Sequence, residues 1–298
     1  MSSQLDTAVG VAGEDLVLSV RNLTVDYAVH RSSFRAVNDV SFDVPRGSTV
    51  AIVGESGCGK STIAKAIVRL LTPTSGEILL NGQDIARMPA RQLRPLRSKV
   101  QMVFQDPYGS LDPHLTAEDI VAEPLTLRGI RSGKERRAEA AKLIDQVGLP
   151  SSALGRRPAE FSGGQRQRIG IARALASKPE LLVCDEATSA LDVSVQAQVL
   201  DLLADIQRDR GLTYLMISHN LGVVRESSSH VVVMSKGKIV EQGPTEQVLS
   251  RPRDPYTRAL RAAALDPLTM TGRKPRELVS RLNKVAPQGG PVLMEEAV

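Results

Sequence analysis

The fold is decided by the stretch Gly54-Glu55-Ser56-Gly57-Cys58-Gly59-Lys60-Ser61-Thr62, which fits the pattern G-x-x-x-x-G-K-[ST]. A β-branched run over residues 48–53 precedes it, and a helical pattern over residues 62–71 follows it. Strand, glycine loop and helix in this order open a parallel α/β unit. These flanks disfavour the alternative of a glycine-rich turn that carries Gly-Lys-Ser by chance.

The residue types of this loop predict a site for the phosphates of a nucleotide. Gly57 and Gly59 allow a nest of backbone N–H groups at the helix N-terminus, and such a nest surrounds a β-phosphate. Lys60 would neutralise oxygens of the β- and γ-phosphates, and the Ser61 hydroxyl would bind Mg²⁺.

A second element of the same site is the apolar run Leu181–Cys184, which ends in Asp185 and Glu186. Packing gives a strand no reason to end in two carboxylates. We predict that Asp185 holds Mg²⁺ through water and that Glu186 polarises the attacking water as the general base. A strand end with a solvated acidic pair is the alternative, and it is disfavoured in a chain that also carries the loop.

Short apolar runs alternate with helical patterns along the rest of the chain. The order predicts a parallel sheet that is interrupted by a helical insert at about 111–177, within a domain spanning 16–250. Residues 1–15 are predicted to be a loose N-terminus, and 251–298 a basic, proline-rich tail. Strands are predicted at 16–20, 23–27, 37–44, 48–53, 181–184, 213–217, 231–234 and 238–240; helical segments are predicted at 62–71, 116–149, 162–177, 193–210 and 256–264.

Composition excludes several classes of protein. Hydrophobic residues make up 42% and charged residues 24%, which is typical of a globular chain and not of a disordered one. No apolar run approaches the roughly 18 residues of a membrane helix, and no signal peptide is expected.

The net charge is +5, and residues 251–298 hold nine Lys/Arg against five Asp/Glu, so most of the excess positive charge lies in the tail. With aromatic residues at 3%, we predict no nucleic-acid partner. The two cysteines predict neither a disulfide framework nor a zinc site, and they favour a reducing, cytoplasmic setting.

The string Phe161-Ser162-Gly163-Gly164-Gln165-Arg166-Gln167-Arg168 opens a helical pattern that Ser162 can cap. It resembles the LSGGQ signature of the ABC ATPases, with Phe161 in place of leucine, and the resemblance covers about residues 16–265. It implies an α/β P-loop NTPase (RecA-like) core with an antiparallel β subdomain and an inserted helical subdomain of the ABC ATPase type.

The same resemblance implies roles for further residues. Gln105 corresponds to the glutamine that contacts the metal and the nucleophilic water, and His219 to the histidine that contacts the γ-phosphate. Tyr27 lies where the family stacks an aromatic ring on adenine, with Phe34 as a nearby competitor. The catalytic set is then Glu186, His219 and Gln105; the Mg²⁺ set is Ser61, Gln105 and Asp185; and the ATP-binding set is Tyr27, Gly54, Glu55, Ser56, Gly57, Cys58, Gly59, Lys60, Ser61, Thr62, Ser162, Gly163, Gly164, Gln165 and Asp192.

The resemblance also implies partners. In this family a second ATPase subunit, identical or paralogous, faces the first head to tail, and ATP lies between the loop of one subunit and the signature of the other. Two strings, Gln105–Pro113 and Arg253–Leu260, are similar to the oligopeptide/dipeptide importer ATPases. That subfamily implies two transmembrane permease subunits, a separate extracytoplasmic solute-binding protein, and a peripheral position on the cytoplasmic face of the membrane.

Three alternatives remain open from the sequence. The transported solute could be nickel, an opine or glutathione, since relatives carry these with similar ATPases. The chain could be a soluble ABC ATPase without a transport role, although it holds only one such core. It could also serve a split exporter. No cysteine follows Cys184, so we expect no iron–sulfur cluster of the kind some subfamily members bind in this region.

Overall fold

The computed structural model describes residues 15–265 except 30–31, 107 and 190. The predicted N-terminal segment up to residue 14 and the tail from residue 266 lie outside the described residues. The strands are β1 (Leu16–Val29), β2 (Ser32–Pro45), β3 (Thr49–Gly54), β4 (Ser75–Leu80), β5 (Gln83–Asp84), β6 (Val100–Val103), β7 (Leu181–Asp185), β8 (Thr213–Ser218), β9 (His230–Ser235) and β10 (Lys238–Pro244). The helices are α1 (Lys60–Ile67), α2 (Ala90–Leu93), α3 (Ala117–Leu127), α4 (Gly133–Gln146), α5 (Gly163–Ala176), α6 (Val193–Arg210), α7 (Leu221–Ser227), α8 (Thr245–Ser250) and α9 (Pro255–Leu265).

The larger sheet has the strand order β10-β9-β3-β8-β7-β6. Strands β9, β3, β8, β7 and β6 run parallel, and β10 is an antiparallel edge strand. Every residue of β3 and β7 is buried, as expected for parallel strands covered on both faces. The predicted parallel sheet is therefore confirmed, and the carboxyl ends of β3, β8, β7 and β6 lie side by side.

A separate antiparallel sheet has the order β2-β1-β4-β5, in agreement with the expected antiparallel subdomain. The prediction of two short strands at 16–20 and 23–27 is wrong, because β1 runs continuously through both. The register shifts between Val20 and Leu23, where Asn22 has a φ of 47°. The Asn22 N–H donates to the Ser41 hydroxyl, so pairing with β2 continues through this irregularity. In the sequence, the same irregularity looks like the end of one strand and the start of another.

The helical insert consists of α3, α4 and α5, which lie between β6 and β7 in the chain. Thr116 caps α3 and Ser132 caps α4, each accepting a backbone N–H three residues on. Buried residues of α3, α4 and α5 share one apolar cluster with β7, β8 and α6. The insert therefore packs on the face of the parallel sheet that α6 also covers.

Helix α1 differs from its prediction at both ends. It begins at Lys60, directly after the loop, and ends at Ile67 rather than at residue 71. The chain leaves the helix through Arg69, whose φ is 56°, and the N–H groups of Leu70 and Leu71 both donate to the Lys65 carbonyl. A left-handed residue that satisfies the last carbonyls ends a helix early, and an arginine gives no signal of this in the sequence.

The segment after residue 250 joins the folded body through α9. Tyr256, Ala259 and Ala263 are buried, and Tyr256 lies in an apolar cluster with residues of β3, β9, α7 and α8. The predicted helix at 256–264 is observed as α9, and the boundary placed at 250 does not separate it from the core. Among the described residues, no helix combines the length and the apolar character that a bilayer span requires.

Candidate functional site

The glycine loop joins the end of β3 to the start of α1. Gly57 and Gly59 have φ values of 79° and 109°, and such turns make successive backbone N–H groups converge on one side. A Cβ on Gly59 would lie 2.4 Å from the carbonyl oxygen of Ala36, so glycine is required there for space as well as for conformation. The backbone before α1 therefore has the conformation that an anion-binding loop requires.

Lys60 lies folded across this loop. Its side chain is 5% exposed, and Nζ donates to the carbonyl oxygens of Gly54 (2.8 Å) and Glu55 (2.9 Å). Burial raises the pKa of the neighbouring Cys58 thiol, although the charge of Lys60 opposes part of that shift. The ammonium group thus lies in the loop, bonded to neutral carbonyls that a phosphate can replace as a stronger, charged partner.

The two predicted carboxylates take different environments at the end of β7. Asp185 is 5% exposed, and its Oδ1 accepts a hydrogen bond of 2.9 Å from the Ser61 hydroxyl. Burial raises the pKa of the Asp185 carboxyl, and the bond from Ser61 offsets part of that rise. Glu186 follows with a φ of 47°, and its N–H donates to the carbonyl of Ile217 on β8. This left-handed residue ends the strand and turns the chain away from the sheet.

Glu186 is the meeting point of residues from two other strand ends. Its Oε2 accepts a hydrogen bond of 3.0 Å from Nε2 of Gln105, which follows β6. The same oxygen lies 3.3 Å from Nδ1 of His219, which follows β8. The structure therefore brings the predicted catalytic set of Glu186, His219 and Gln105 together, beside the Ser61–Asp185 pair.

The donor atoms of this edge suit Mg²⁺. A hydroxyl and a carboxylate oxygen, from Ser61 and Asp185, already lie within hydrogen-bond distance. Gln105, whose Nε2 donates to Glu186, has an amide oxygen of the kind that also binds Mg²⁺. Within the described ranges, no group of three His, Cys, Asp or Glu side chains could hold a metal alone. Mg²⁺ is commonly held by one or two carboxylates together with the phosphates of its substrate, and Asp185 supplies one such carboxylate.

The capping prediction for Ser162 is confirmed. Its Oγ accepts the Gln165 N–H at 3.3 Å, while Gln165 Oε1 accepts the Ser162 N–H at 3.1 Å, which together form a capping box. These bonds lie within the first turn of α5 itself. The described hydrogen bonds of Ser162 and Gln165 therefore do not link them to the Glu186 cluster.

The two glycines of α5 have different surroundings. A Cβ on Gly164 would lie 2.3 Å from Cγ1 of Val195 in α6, whereas one on Gly163 would meet Leu191 Cδ2 at an ordinary 3.5 Å. Gly164 is thus needed for packing within the chain. Gly163 is the position that leaves the N-terminus of α5 open to an external group.

Tyr27 and Asp192 occupy the edges of the site. The Tyr27 hydroxyl lies 3.4 Å from Thr62 Oγ1 in α1, and Phe34 is opposite Tyr27 in the β1–β2 register. Phe34 is 57% exposed, so its ring is accessible, and both aromatic residues remain candidates for stacking. Asp192 precedes α6 without capping it through its side chain, and its carboxylate is exposed.

The sequence did not reveal how the segment after β6 is held. Three side chains of α5 contact this segment. Gln167 Nε2 donates to the Phe104 carbonyl, and Arg173 Nη1 donates to the Ser110 carbonyl. The guanidinium carbon of Arg166 lies 4.0 Å from the centre of the Tyr108 ring. Arg173 is largely buried, and desolvation lowers its pKa. In the sequence, the one signal of this contact is an arginine, Arg173, among the apolar residues of α5. The segment that carries Gln105 is therefore tied to the helix that carries Ser162.

Comparisons with known proteins agree with this geometry. Residues 37–189 match the family model described as ABC transporter. The chain is 49% identical over 257 residues to a probable peptide ABC transporter ATP-binding protein of Sinorhizobium fredii, covering 84% of this chain and 73% of that protein. It is 46% identical over 249 residues to the oligopeptide transport ATP-binding protein OppF of Bacillus subtilis, covering 83% and 82%. Among solved structures it is similar to the ATP-binding cassette MJ0796, a dimer in a post-hydrolysis state with ADP and phosphate, at a TM-score of 0.71 and 31% identity, covering 76% and 98%.

Proposed function

The chain belongs to the ABC transporter family, and on that premise we propose that it is the ATP-hydrolysing subunit of an importer that moves peptides across the cytoplasmic membrane. One observation carries the chemistry: Ser61, Asp185, Glu186, Gln105 and His219 converge at the carboxyl ends of adjacent parallel strands, directly beside the glycine loop. Ligands of open α/β sheets bind at this edge.

Each residue at this edge has a task in ATP hydrolysis. Lys60 exchanges the carbonyls of Gly54 and Glu55 for oxygens of the β- and γ-phosphates. The Glu186 carboxylate replaces its contacts to Gln105 and His219 with a hydrogen bond from the attacking water, and it accepts the proton of that water. The His219 side chain turns toward the γ-phosphate. Ser61, Asp185 and Gln105 would hold Mg²⁺, which supplies positive charge to the phosphate oxygens when bound.

A second subunit completes the site in this proposal. The N-terminus of α5 carries Ser162 and Gly163, and a helix N-terminus of this kind favours an anion. The similar cassette MJ0796 is a dimer, which supports a head-to-tail pair in which α5 of each chain faces the loop of the other. Asp192 would lie at the junction of the two subunits.

The remaining partners follow from the same proposal. Two permease subunits carry the solute pathway, and the segment after β6, held by Arg166, Gln167 and Arg173, transmits closure of the dimer to them. A separate extracytoplasmic protein delivers the peptide. The ATPase itself is then a peripheral protein at the cytoplasmic face of the membrane.

Glu186→Gln tests the chemistry. The amide cannot accept the proton of water, so we expect ATP turnover to fall by roughly two to four orders of magnitude while ATP binding persists. Phosphate release measures turnover, and size-exclusion chromatography with MgATP measures dimer formation, which we expect the variant to retain. Glu226→Gln makes the same change at an exposed position on α7 and serves as the matched control. Wild-type turnover in Glu186→Gln would refute the role of Glu186 as general base.

The transport role is tested in membranes. We expect the tagged chain to co-purify with two transmembrane subunits, and deletion of its gene to abolish uptake of labelled peptides. Recovery with ribosomes or DNA in place of membrane subunits would contradict the proposal. Loss of nickel, opine or glutathione uptake with unchanged peptide uptake would keep the ATPase and replace the solute.

A further inference from the structure

The string Asp254-Pro255-Tyr256 at the start of α9 has no task in the chemistry described so far. Asp254 Oδ1 accepts the Tyr256 N–H at 2.7 Å, and Pro255 stands at the first helical position, where its missing N–H costs nothing. From β10, the carboxylate of Glu241 accepts the N–H groups of Arg253 (2.9 Å) and Asp254 (3.1 Å). The start of α9 is therefore fixed to the edge of the parallel sheet.

This anchoring points Tyr256 at the phosphate-binding loop. Tyr256 is 7% exposed and belongs to an apolar cluster that also contains Val53 at the end of β3 and Val233 of β9. The phenol oxygen accepts the backbone N–H of Glu55 at 3.0 Å. Burial raises the pKa of Tyr256 to about 12, so the hydroxyl is protonated at neutral pH.

Glu55 is hydrogen-bonded to both Tyr256 and Lys60. The N–H of Glu55 donates to Tyr256, and the C=O of Glu55 accepts from Lys60 Nζ at 2.9 Å, next to the 2.8 Å bond from Lys60 to Gly54. The peptide group between Gly54 and Glu55 is thereby bonded on both sides, through its C=O to Lys60 and through its N–H to Tyr256. When Lys60 leaves these carbonyls for a phosphate, the bond from the Glu55 N–H to Tyr256 remains, together with the bond of 3.3 Å from the Cys58 N–H to the Glu55 carbonyl.

We propose that Tyr256 is a positioning residue of the nucleotide site, which fixes the entry of the phosphate-binding loop from the C-terminal helix α9. A loop that is held before binding loses less conformational freedom when the nucleotide arrives. The role acts on affinity for ATP and not on proton transfer at Glu186. It rests on the proposed function, since it takes the loop as the site of ATP.

Tyr256→Phe tests this proposal because it keeps the buried ring and removes only the acceptor oxygen. We expect the Kd for ATP and the KM to rise roughly two- to tenfold, the range of one net hydrogen bond, with kcat at saturating MgATP unchanged. Binding of a fluorescent ATP analogue to the full chain gives Kd, and phosphate release gives KM and kcat. A second variant, Glu241→Ala, frees the start of α9 and is expected to raise KM in the same direction.

Tyr214→Phe is the matched control. It also removes a buried phenol hydrogen bond, from Tyr214 to the Leu203 carbonyl at 2.8 Å, but in the cluster beneath α6. We expect it to lower the melting temperature of the nucleotide-free protein without changing the Kd for ATP. An unchanged Kd in Tyr256→Phe, or an equal rise in Tyr214→Phe, would overturn the positioning role alone. Failure of the wild-type chain to bind ATP would overturn the proposed function instead.

Discussion

Gly164→Ala tests how closely α5 is packed against α6. A Cβ at position 164 would lie 2.3 Å from Val195 Cγ1 and 3.7 Å from Val195 Cβ, and real Cβ contacts do not reach the shorter distance. Val195 cannot rotate away freely, because a β-branched residue in a helix has essentially one χ1 rotamer. Either the first turn of α6 or that of α5 must therefore move.

The expected magnitude follows from two opposing effects. Inserting a methyl group into a packed interface costs about 1–3 kcal/mol. Replacing glycine by alanine in a helix returns at most about 1 kcal/mol of propensity. Subtracting the gain from the cost, we expect the free energy of unfolding of the nucleotide-free protein to fall by up to about 2 kcal/mol, measured from the urea midpoint with an unchanged slope.

The neighbouring glycine gives the control, since the same change in Gly163→Ala meets only an ordinary contact at 3.5 Å. That variant should be at least as stable as the wild type. Val195→Ala removes the clashing atom, so Gly164→Ala should cost less in its presence. Additive effects of the two substitutions, within about 0.5 kcal/mol, would refute the clash as the cause.

Two further predictions concern other parts of the structure. Cys58 and Cys184 are 6% and 3% exposed, and burial raises the pKa of both thiols, that of Cys184 to about 12. Neither should react with iodoacetamide in the native protein, and both should react in guanidinium chloride; rapid native labelling, detected by mass spectrometry, would show that a thiol is accessible. Burial alone would raise the pKa of Glu180, but hydrogen bonds from Arg46, Lys99 and Asn81 lower it below the usual 4.5. A lowered carboxyl pKa contributes stability that is present above the ordinary pKa and is lost as pH falls through the native value. The stability advantage of the wild type over Glu180→Gln should therefore shrink below about pH 4.5 in urea titrations, and a difference that is constant with pH would contradict this ion-pair account.

Each charged group of the site has a polar partner within the chain. Lys60 is bonded to loop carbonyls, Asp185 to Ser61, and Glu186 to Gln105 with His219 close by. Buried polar groups are costly when left without partners, so these hydrogen bonds contribute to stability. Under the proposed function, ATP binding would exchange these bonds for bonds to phosphate, metal or water.

Local sequence determined the elements that have strong local causes. The β-branched run and the glycine loop specify β3 and the start of α1, because the loop needs positive φ at Gly57 and Gly59. Ser162 specifies the start of α5, since its cap and that of Gln165 are bonds within one helical turn. The roles of Gln105 and His219 came from the family resemblance, because neither residue has a local pattern of its own.

Only the tertiary structure decided which strand ends are neighbours, and with them the contacts of Glu186 to Gln105, 81 residues earlier in the chain. It also decided that Asn22 interrupts the register of β1 without ending it, that Gly164 makes room for Val195, and that Tyr256 reaches the loop. The physical reason is the same in each case. A hydrogen bond or packing contact between two distant segments depends on where the fold places the second segment relative to the first. Local periodicity and propensity carry no information about that placement.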